Sequence, residues 1–315
     1  MEVLPVHPLI KLTKEDVKNT RQFYDVDDMK RINESLDAVE DWIKKQPHLI
    51  EAGKYMSRNL LERLFILARG SVESTKQKID KLFTCRGLMP EICLNKTIGE
   101  FDKLWDCVNY VPLPKLSPKD YSRVMITRFT TDKLDDFSLL TYFRYNFLIG
   151  EYRLHYDYSL QERFIIDLKN LTQFSIISKI NPIVVRKAEV LCSEGYGTKI
   201  KGIHLLNAPG FVDKLIFLLK QALKEKVANR IHVHSSYEDL HKHVPKEILP
   251  KDYGGDEISC EKLTEQWKEL LKTKEAIQIM NDCEKLIADE SKRSDSNFNE
   301  DYLGMPGSFR KLNVD

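Results

Sequence analysis

Residues 199–209 read KIKGIHLLNAP and residues 230–234 read RIHVH, and these two stretches decide the fold. Each contains a short run of apolar and β-branched residues, which predicts a buried strand. Residues 211–226 lie between them and are long enough for a crossover helix. A strand, a helix and a second strand in this order predict two neighbouring parallel strands.

The same alternation continues toward the N-terminus. RVMITRF (123–129) and RFIIDL (163–168) have the composition of strands, and residues 136–154 and 176–193 are long enough for helices. Short apolar strands separated by helices predict a mostly parallel sheet with helices on both faces. The predicted fold class is therefore α/β.

The chain before residue 110 has a different pattern, with apolar residues at helical spacing. Thr13 and Ser71 are the residue types that begin helices, and we expect helix starts there. VPLPKLSP (111–118) contains three prolines and predicts a boundary after this all-helical region. At the other end, residues 260–289 predict one amphipathic helix, followed by a polar tail.

Composition excludes several classes of protein. The 49 Lys and Arg residues and 48 Asp and Glu residues leave a formal net charge of +1, so no global field favours nucleic acid. The first residues, MEVLPVHPLI, lack the basic start of a signal peptide, and no apolar run approaches the length of a transmembrane helix. The six cysteines form no C-x-x-C pair, which favours reduced thiols. We therefore expect a cytoplasmic protein.

Motifs for catalysis are missing from the sequence. It has no G-x-S-x-G, H-E-x-x-H or G-x-x-x-x-G-K-[ST], and no G-x-G-x-x-G follows a strand. GYGTK (195–199) resembles a phosphate loop but precedes a predicted strand, whereas such a loop leads into a helix. The sequence therefore predicts no enzyme and no cofactor.

Two histidine pairs are the candidate metal ligands. His232 and His234 alternate on a predicted strand and so share a face, and His241 and His243 follow nearby. A metal site needs a third or fourth ligand, and no cysteine or carboxylate cluster accompanies these pairs. We expect structural or surface histidines and no bound metal.

The segment at residues 211–225 is strongly amphipathic. At 100° per residue its apolar side chains fill an arc of about 160°, and the opposite arc is polar apart from Phe217. This arc is wider than a surface helix needs. It is compatible with a buried crossover helix or with a lid that covers a ligand.

Several ordered motifs together resemble the CRAL-TRIO lipid-binding proteins. They are RVMITRF (123–129), IDLKNLT (166–172), IKGIHLLNAP (200–209), RIHVHSS (230–236), HKHVPKEILPKDYGG (241–255) and the terminal GSFRKLNVD (307–315). The resemblance covers roughly residues 55–315. It is greatest to the branch that contains α-tocopherol transfer protein and cellular retinaldehyde-binding protein.

This resemblance implies a domain organisation and a function. Residues 1–98 would form an N-terminal helical region, residues 99–257 the lipid-binding domain, and residues 258–315 a C-terminal helix and tail. The domain would enclose an apolar cavity closed by a mobile helix, which favours the lid interpretation of residues 211–225. The implied function is an intracellular carrier that sequesters one small hydrophobic lipid, of tocopherol, retinoid, carotenoid or other isoprenoid type, and releases it at membranes.

The resemblance also implies two sets of site residues. We expect the cavity and lid to use Phe143, Tyr145, Asn146, Phe147, Gly150, Phe174, Ile180, Leu191, Phe211, Leu215 and Leu218. We expect phosphoinositide headgroups to bind Arg69, Lys199, Lys226 and Arg230, with Lys201 and Lys224 nearby. Leu67 stands where the family often has arginine, which would weaken this headgroup site.

Other functions remain open at this point. One is a signalling scaffold of the same fold that exchanges phospholipid or phosphoinositide, and another is a lipid-ester hydrolase without a visible nucleophile. The expected partners of a carrier are the lipid and a phosphoinositide-containing membrane, contacted transiently. We expect a monomer that binds no nucleic acid.

Overall fold

The computed structural model describes residues 7–293, without the side chains of residues 173 and 174. This part of the chain contains a five-stranded sheet. Its strands are β1 (Val108–Pro112), β2 (Ser122–Phe129), β3 (Gln161–Asp167), β4 (Ile200–Leu206) and β5 (Ile231–Val233). They lie side by side in chain order, with β1 antiparallel to β2 and all other neighbours parallel. The predicted α/β fold with a mostly parallel sheet is confirmed.

The chain before β1 is helical, as predicted. Its helices are α1 (Lys14–Gln22), α2 (Met29–Ile43), α3 (Ile50–Gly53), α4 (Arg58–Leu67), α5 (Val72–Leu88), α6 (Pro90–Cys93) and α7 (Asp102–Trp105). Thr13 and Ser71 begin α1 and α5, because their side-chain oxygens accept hydrogen bonds from the amides of Asp16 and Ser74. Both predicted helix starts are confirmed.

The apolar faces of α2, α4 and α5 pack together into what we call the N-terminal core. Leu64, Phe65 and Phe83 are buried at its centre. Residues from later in the chain complete it, among them Leu191 and Leu286. The N-terminal helices are therefore fixed to the α/β part by shared apolar packing.

Helices connect the parallel strands. They are α8 (Leu139–Arg153), α9 (Gln173–Ile177), α10 (Pro182–Val190), α11 (Val212–Ala222) and α12 (Glu225–Ala228), with a π-helical turn at Leu191–Gly195. Asn181 begins α10 by accepting hydrogen bonds from the amides of Ile183 and Val184, and Pro182 occupies the first helical position. The three predicted crossover segments are therefore helical.

Strand β1 was not predicted from the sequence. Residues up to 110 show a helical pattern, and the prolines that follow suggest a loop. The structure instead pairs Val108 with Phe129 and Pro112 with Met125 in an antiparallel ladder. Proline is tolerated because β1 is an edge strand.

The C-terminal region also differs from its prediction. After α13 (Tyr237–His241), the single helix expected at residues 260–289 is divided into α14 (Cys260–Leu271) and α15 (Lys274–Glu284). Thr273 causes the break, since its side chain accepts a hydrogen bond from the amide of Ala276 and begins α15. The GSFRKLNVD motif lies outside the described residues.

Within residues 7–293, we find no helix with the length and apolar character required to cross a bilayer. The boundaries expected at residues 98/99 and 257/258 remain predictions.

Candidate functional site

A cavity of about 230 Å³ lies between the sheet and helices α8, α10 and α11. Phe164 and Ile166 of β3 line it, as do Ile203 and Leu205 of β4. These are alternate residues of each strand, and alternate side chains of a strand point to the same face. The sheet therefore forms an apolar wall.

Helix α8 forms a second wall with residues at helical spacing. Phe143, Asn146, Phe147 and Gly150 all line the cavity. At 100° per residue these positions fall within an arc of about 100°. Ile180, which precedes α10, and Leu215 of α11 also line it. The structure therefore brings six of the predicted cavity residues together.

Tyr145 does not line the cavity, which corrects its predicted role. It lies about 200° around α8 from Phe143 and is not among the residues that line the cavity. The ring packs instead against Phe101 and Trp105, with ring centroids 5.1 and 5.8 Å away. Burial raises the pKa of its hydroxyl well above the ordinary value.

Three other predicted positions also lie outside the cavity lining. Leu191 is buried in the N-terminal core, because the π-helical turn that carries it packs against α5. Phe211 precedes the first turn of α11 and packs against the α/β core, while Leu218 is half-buried on α11. Phe174 belongs to α9, but its side chain is outside the described part of the structure.

Sequence reasoning missed several cavity residues that periodicity would have identified. Leu219 and Leu223 follow Leu215 at spacings of four and eight residues and also line the cavity. The sheet residues are detectable from strand alternation alone once one of them is assigned to the cavity face. Thr127 and Tyr142 also line the wall, and their hydroxyls form a hydrogen bond of 2.7 Å.

The charged side chains in the cavity wall are paired within the protein. Arg153 donates to Glu162 at 2.6 Å and lies 3.3 Å from Asp157. Glu151 accepts hydrogen bonds from Arg86 and Tyr196. Burial disfavours the charged form of Glu151, but Arg86 and Lys96 hold its pKa below the ordinary value. The charges of these wall residues are thus neutralised by partners within the protein, and most of the remaining wall is apolar.

A group of cations lies at the edge of the sheet where β4 and β5 begin. Lys199 donates a hydrogen bond to the hydroxyl of Tyr24 and lies 4.6 Å from the centroid of its ring. Arg69 is exposed, and its guanidinium carbon lies 5.7 Å from the same ring. Tyr24 therefore brings two predicted headgroup residues together. Burial and the charges of Lys199 and Lys81 lower the pKa of Lys78, which extends this basic group.

The other two predicted headgroup residues lie on the neighbouring segment. Arg230 donates to the backbone oxygen of Ile200, next to Lys199, and Lys226 is exposed on α12. Of the two auxiliary residues, Lys201 is exposed and Lys224 is paired with Glu194. We call Arg69, Lys199, Lys226 and Arg230 the basic edge.

The segment of the chain that forms most of the cavity is similar to known proteins. The model of the CRAL/TRIO domain matches residues 116–255. The "Alpha-tocopherol transfer protein-like" protein of Mus musculus is 32% identical over 112 residues, which are 35% of this chain and 32% of that protein. "Clavesin-2" of Homo sapiens is 35% identical over 92 residues, or 29% of this chain and 28% of that protein.

The matched segment thus spans about a third of each of these relatives. The solved structure described as "Crystal structure of Sfh5" is 15% identical, with a TM-score of 0.45 over 75% of this chain and 92% of that one. The family match covers β2 to β5 and the helices that enclose the cavity. Residues 116–255 are therefore a CRAL/TRIO domain, and the family resemblance inferred from the sequence is confirmed.

Proposed function

We propose that this chain carries one small, mainly apolar lipid in its cavity and releases it at phosphoinositide-containing membranes. It would act as a carrier that catalyses no reaction on its cargo. The observation that carries the proposal is the apolar cavity whose charged wall residues are already paired within the protein. A relative whose name refers to α-tocopherol transfer supports the same class of cargo.

The cavity favours a ligand held by apolar contact. Because Arg153 and Glu151 have internal partners, a ligand gains little from bringing a charge of its own. Burying about 400 Å² of apolar ligand surface is worth on the order of 10 kcal/mol before the costs of ordering. This is enough for submicromolar binding with few polar contacts.

Helix α11 would be the lid. Its inner residues Leu215 and Leu219 close the cavity, so cargo can leave once this helix moves. Its outer face carries Phe217, whose exposed fraction is 63%, and Ile183 on neighbouring α10 is 65% exposed. Exposed apolar side chains on the lid and on its neighbouring helix favour contact with a lipid surface.

The basic edge would recognise the membrane. Arginine and lysine bind phosphate through charge-assisted hydrogen bonds, each worth roughly 1.5–3 kcal/mol and weakened by salt. Lys226 and Arg230 follow the lid directly in the chain. Headgroup binding there would favour cargo release if the open lid binds the phosphate better than the closed lid does.

Cargo identity is tested by extracting the protein purified from its native tissue with organic solvent and analysing the extract by mass spectrometry. We expect one stoichiometric apolar lipid. Displacement of a hydrophobic fluorophore by tocopherols, retinoids, carotenoids, sterols and phospholipids then ranks the ligands. Stoichiometric phospholipid with exchange between vesicles would favour the signalling scaffold instead. Failure of every lipid to displace the fluorophore would contradict the carrier.

Membrane recognition is tested with liposomes that contain or lack bisphosphorylated phosphatidylinositol. We expect Lys226→Ala/Arg230→Ala to lose the preference for phosphoinositide. The control Lys272→Ala/Lys274→Ala removes the same charge from exposed positions at the α14–α15 junction and should retain it. Equal binding by wild type and the basic-edge variant would contradict this half of the proposal.

A further inference from the structure

Four histidines from three segments meet on one side of the sheet. His204 belongs to β4, His232 and His234 belong to β5 and its end, and His243 follows α13. The ring centroid of His204 lies 5.2 Å from that of His232, 5.1 Å from that of His234 and 5.2 Å from that of His243. We call these residues the histidine cluster. The sequence identified two adjacent pairs, but His241 instead bonds to the backbone oxygen of Tyr253.

The histidine cluster lies behind the cavity wall, at the edge of the sheet. Ile203 and Leu205 face the cavity, so His204 between them points to the opposite face. Strand β5 is short and at the sheet edge, and it follows the lid and α12 directly. Backbone hydrogen bonds from Ile203 to Arg230 and from His234 to Leu205 hold it to β4.

The hydrogen bonding of the cluster favours neutral rings. Nδ1 of His204 lies 2.8 Å from Nε2 of His234. Nε2 of His204 is buried and has no hydrogen-bond partner among residues 7–293, and a Cβ added to Gly202 would lie 2.6 Å from it. The proton of His204 therefore belongs on Nδ1, which donates to His234. A further proton would either sit on the unpartnered Nε2 or remove the acceptor of this bond.

The charged groups around the cluster are mainly cationic. Arg163 of β3 faces it and is paired with Asp120, while Lys242 and Asp239 approach from α13 and the residue after it. Asp239 is already engaged by Lys242 and Ser235. Burial, followed by the neighbouring histidines, lowers the pKa of His204 to about 3. Burial and neighbouring histidines also lower the pKa values of His234 and His243.

Metal binding would be another use for four histidines. In the described residues, however, no group of three or more His, Cys, Asp or Glu side chains is arranged to hold a metal ion. The nitrogens of His204 and His234 point at each other in a hydrogen bond, and a shared metal would require both of them deprotonated. The arrangement therefore favours the proton as the ligand.

We propose that the histidine cluster is a proton-sensitive latch, which holds β5 on β4 at neutral pH and releases it on acidification. Release would free the segment that follows the lid and would open the wall formed by Ile203 and Leu205. The consequence for cargo rests on the proposed function, whereas the opening of β5 does not.

The sign and size of the effect follow from proton linkage. Histidines whose pKa is lowered in the closed state stabilise that state fully above the ordinary value of 6.5. The stabilisation is lost as pH falls below 6.5, because the open state then binds protons that the closed state excludes. His204, whose pKa is lowered to about 3 in the closed state, favours opening by about tenfold at pH 5.5 when it is released to water. Release of His234, whose pKa is also lowered, adds to this in the same direction.

The test is amide hydrogen exchange at pH 7.5 and 5.5 in the presence of a chelator, followed at the amides of Ile203 and His234. These two amides donate hydrogen bonds between the two segments, from Ile203 to Arg230 and from His234 to Leu205. We expect their protection factors in the wild type to fall at least about tenfold on acidification. In His204→Asn/His234→Gln, where amide groups replace Nδ1 and Nε2 without titrating, we expect the fall to be at least about tenfold smaller than in the wild type.

Two further variants keep the result interpretable. His241→Gln removes a histidine outside the cluster and should behave as the wild type. If the double variant does not fold, His243→Gln at an exposed position should reduce the fall in protection by up to about tenfold. An unchanged fall in the folded cluster variants, or no fall in the wild type, would overturn the latch. Higher protection on adding Zn²⁺ at pH 7.5 would also overturn it in favour of metal binding.

A bound hydrophobic fluorophore links the latch to the cavity. Its dissociation should be faster at pH 5.5 than at pH 7.5 in the wild type, and this difference should be smaller in His204→Asn/His234→Gln. If the fluorophore does not bind the wild type at pH 7.5, the proposed function fails. The amide exchange would still test whether β5 separates from β4 on acidification.

Discussion

The molecule has two apolar cores that differ in how they are filled. In the N-terminal core, Leu64 and Phe83 are fully buried against side chains of neighbouring helices. In the α/β core, Leu205 is equally inaccessible to solvent but faces a cavity of about 230 Å³. Burial from solvent is therefore the same in both, while Leu205 lines the cavity and Leu64 and Phe83 do not. Both cores are built from apolar side chains, so apolar composition alone does not explain the cavity in the α/β core. The cavity depends on how the side chains from different elements fit together.

Glu151 lies where these two regions meet, and changing it should have the largest effect. We expect Glu151→Gln to reduce the free energy of unfolding by about 3–5 kcal/mol, because Arg86 and Lys96 would keep buried charges without their carboxylate. Urea denaturation at pH 7 measures this loss.

The matched control for Glu151→Gln is Asp136→Asn, which removes one partner of the exposed pair between Lys103 and Asp136. Its stability should be unchanged. The pKa of Glu151 is lowered in the folded protein from an ordinary value of 4.5, so its stabilisation is present above that pH and is lost below it. The deficit of Glu151→Gln should therefore shrink as pH falls below 4.5. A deficit that is small at pH 7 would mean that the two regions do not depend on this contact.

The difference in filling is tested by the same substitution in each core. Leu64→Ala should cost about 3–4 kcal/mol of unfolding free energy, because the removed atoms leave a new void among close neighbours. Leu205→Ala should cost roughly half as much, since part of that side chain already faces empty space. Both leucines are fully buried, so solvent exposure does not separate them. Equal losses in urea denaturation of the ligand-free protein would show that the α/β core is as well filled as the N-terminal core.

The sequence predicted the elements of the fold better than the surfaces they present. Short apolar runs such as KIKGIHLL are locally distinctive, and β2 to β5 lie where they were expected. Strand β1 was missed because its pairing with β2 is a tertiary contact, and Pro112 argued locally against a strand. The break at Thr273 was missed because an amphipathic pattern continues across it.

Site prediction failed where it depended on contacts between distant segments. Tyr145 was assigned to the cavity although Phe143 and Asn146 already define the opposite face of α8. The histidine cluster was missed because His204 lies in a different strand from His232 and His234, and the register of β4 against β5 brings them together. Tyr24 was missed for the same reason, since it joins Arg69 and Lys199 from a remote helix end.

The smallest expected change in stability comes from filling the cavity at Gly150. This glycine lies within α8 and lines the cavity, and a Cβ added to it would meet no atom of the described residues within 4 Å. Gly150→Leu should raise the unfolding free energy of the ligand-free protein by roughly 1 kcal/mol, because leucine has the higher helix propensity and fills empty space. It should also abolish binding of a hydrophobic fluorophore, because the side chain occupies the volume of the ligand.

Gain of stability with loss of binding is the signature that separates a ligand cavity from a packing defect. Gly99→Leu is the matched control, because this exposed glycine lies outside the cavity lining and a Cβ there also meets no atom within 4 Å in the part of the chain that the structure describes. It should leave fluorophore binding intact. Thermal denaturation and fluorophore titration of both variants measure the two effects. Retained binding in Gly150→Leu would place the ligand elsewhere, and lower stability would mean that the α/β core is already filled at α8.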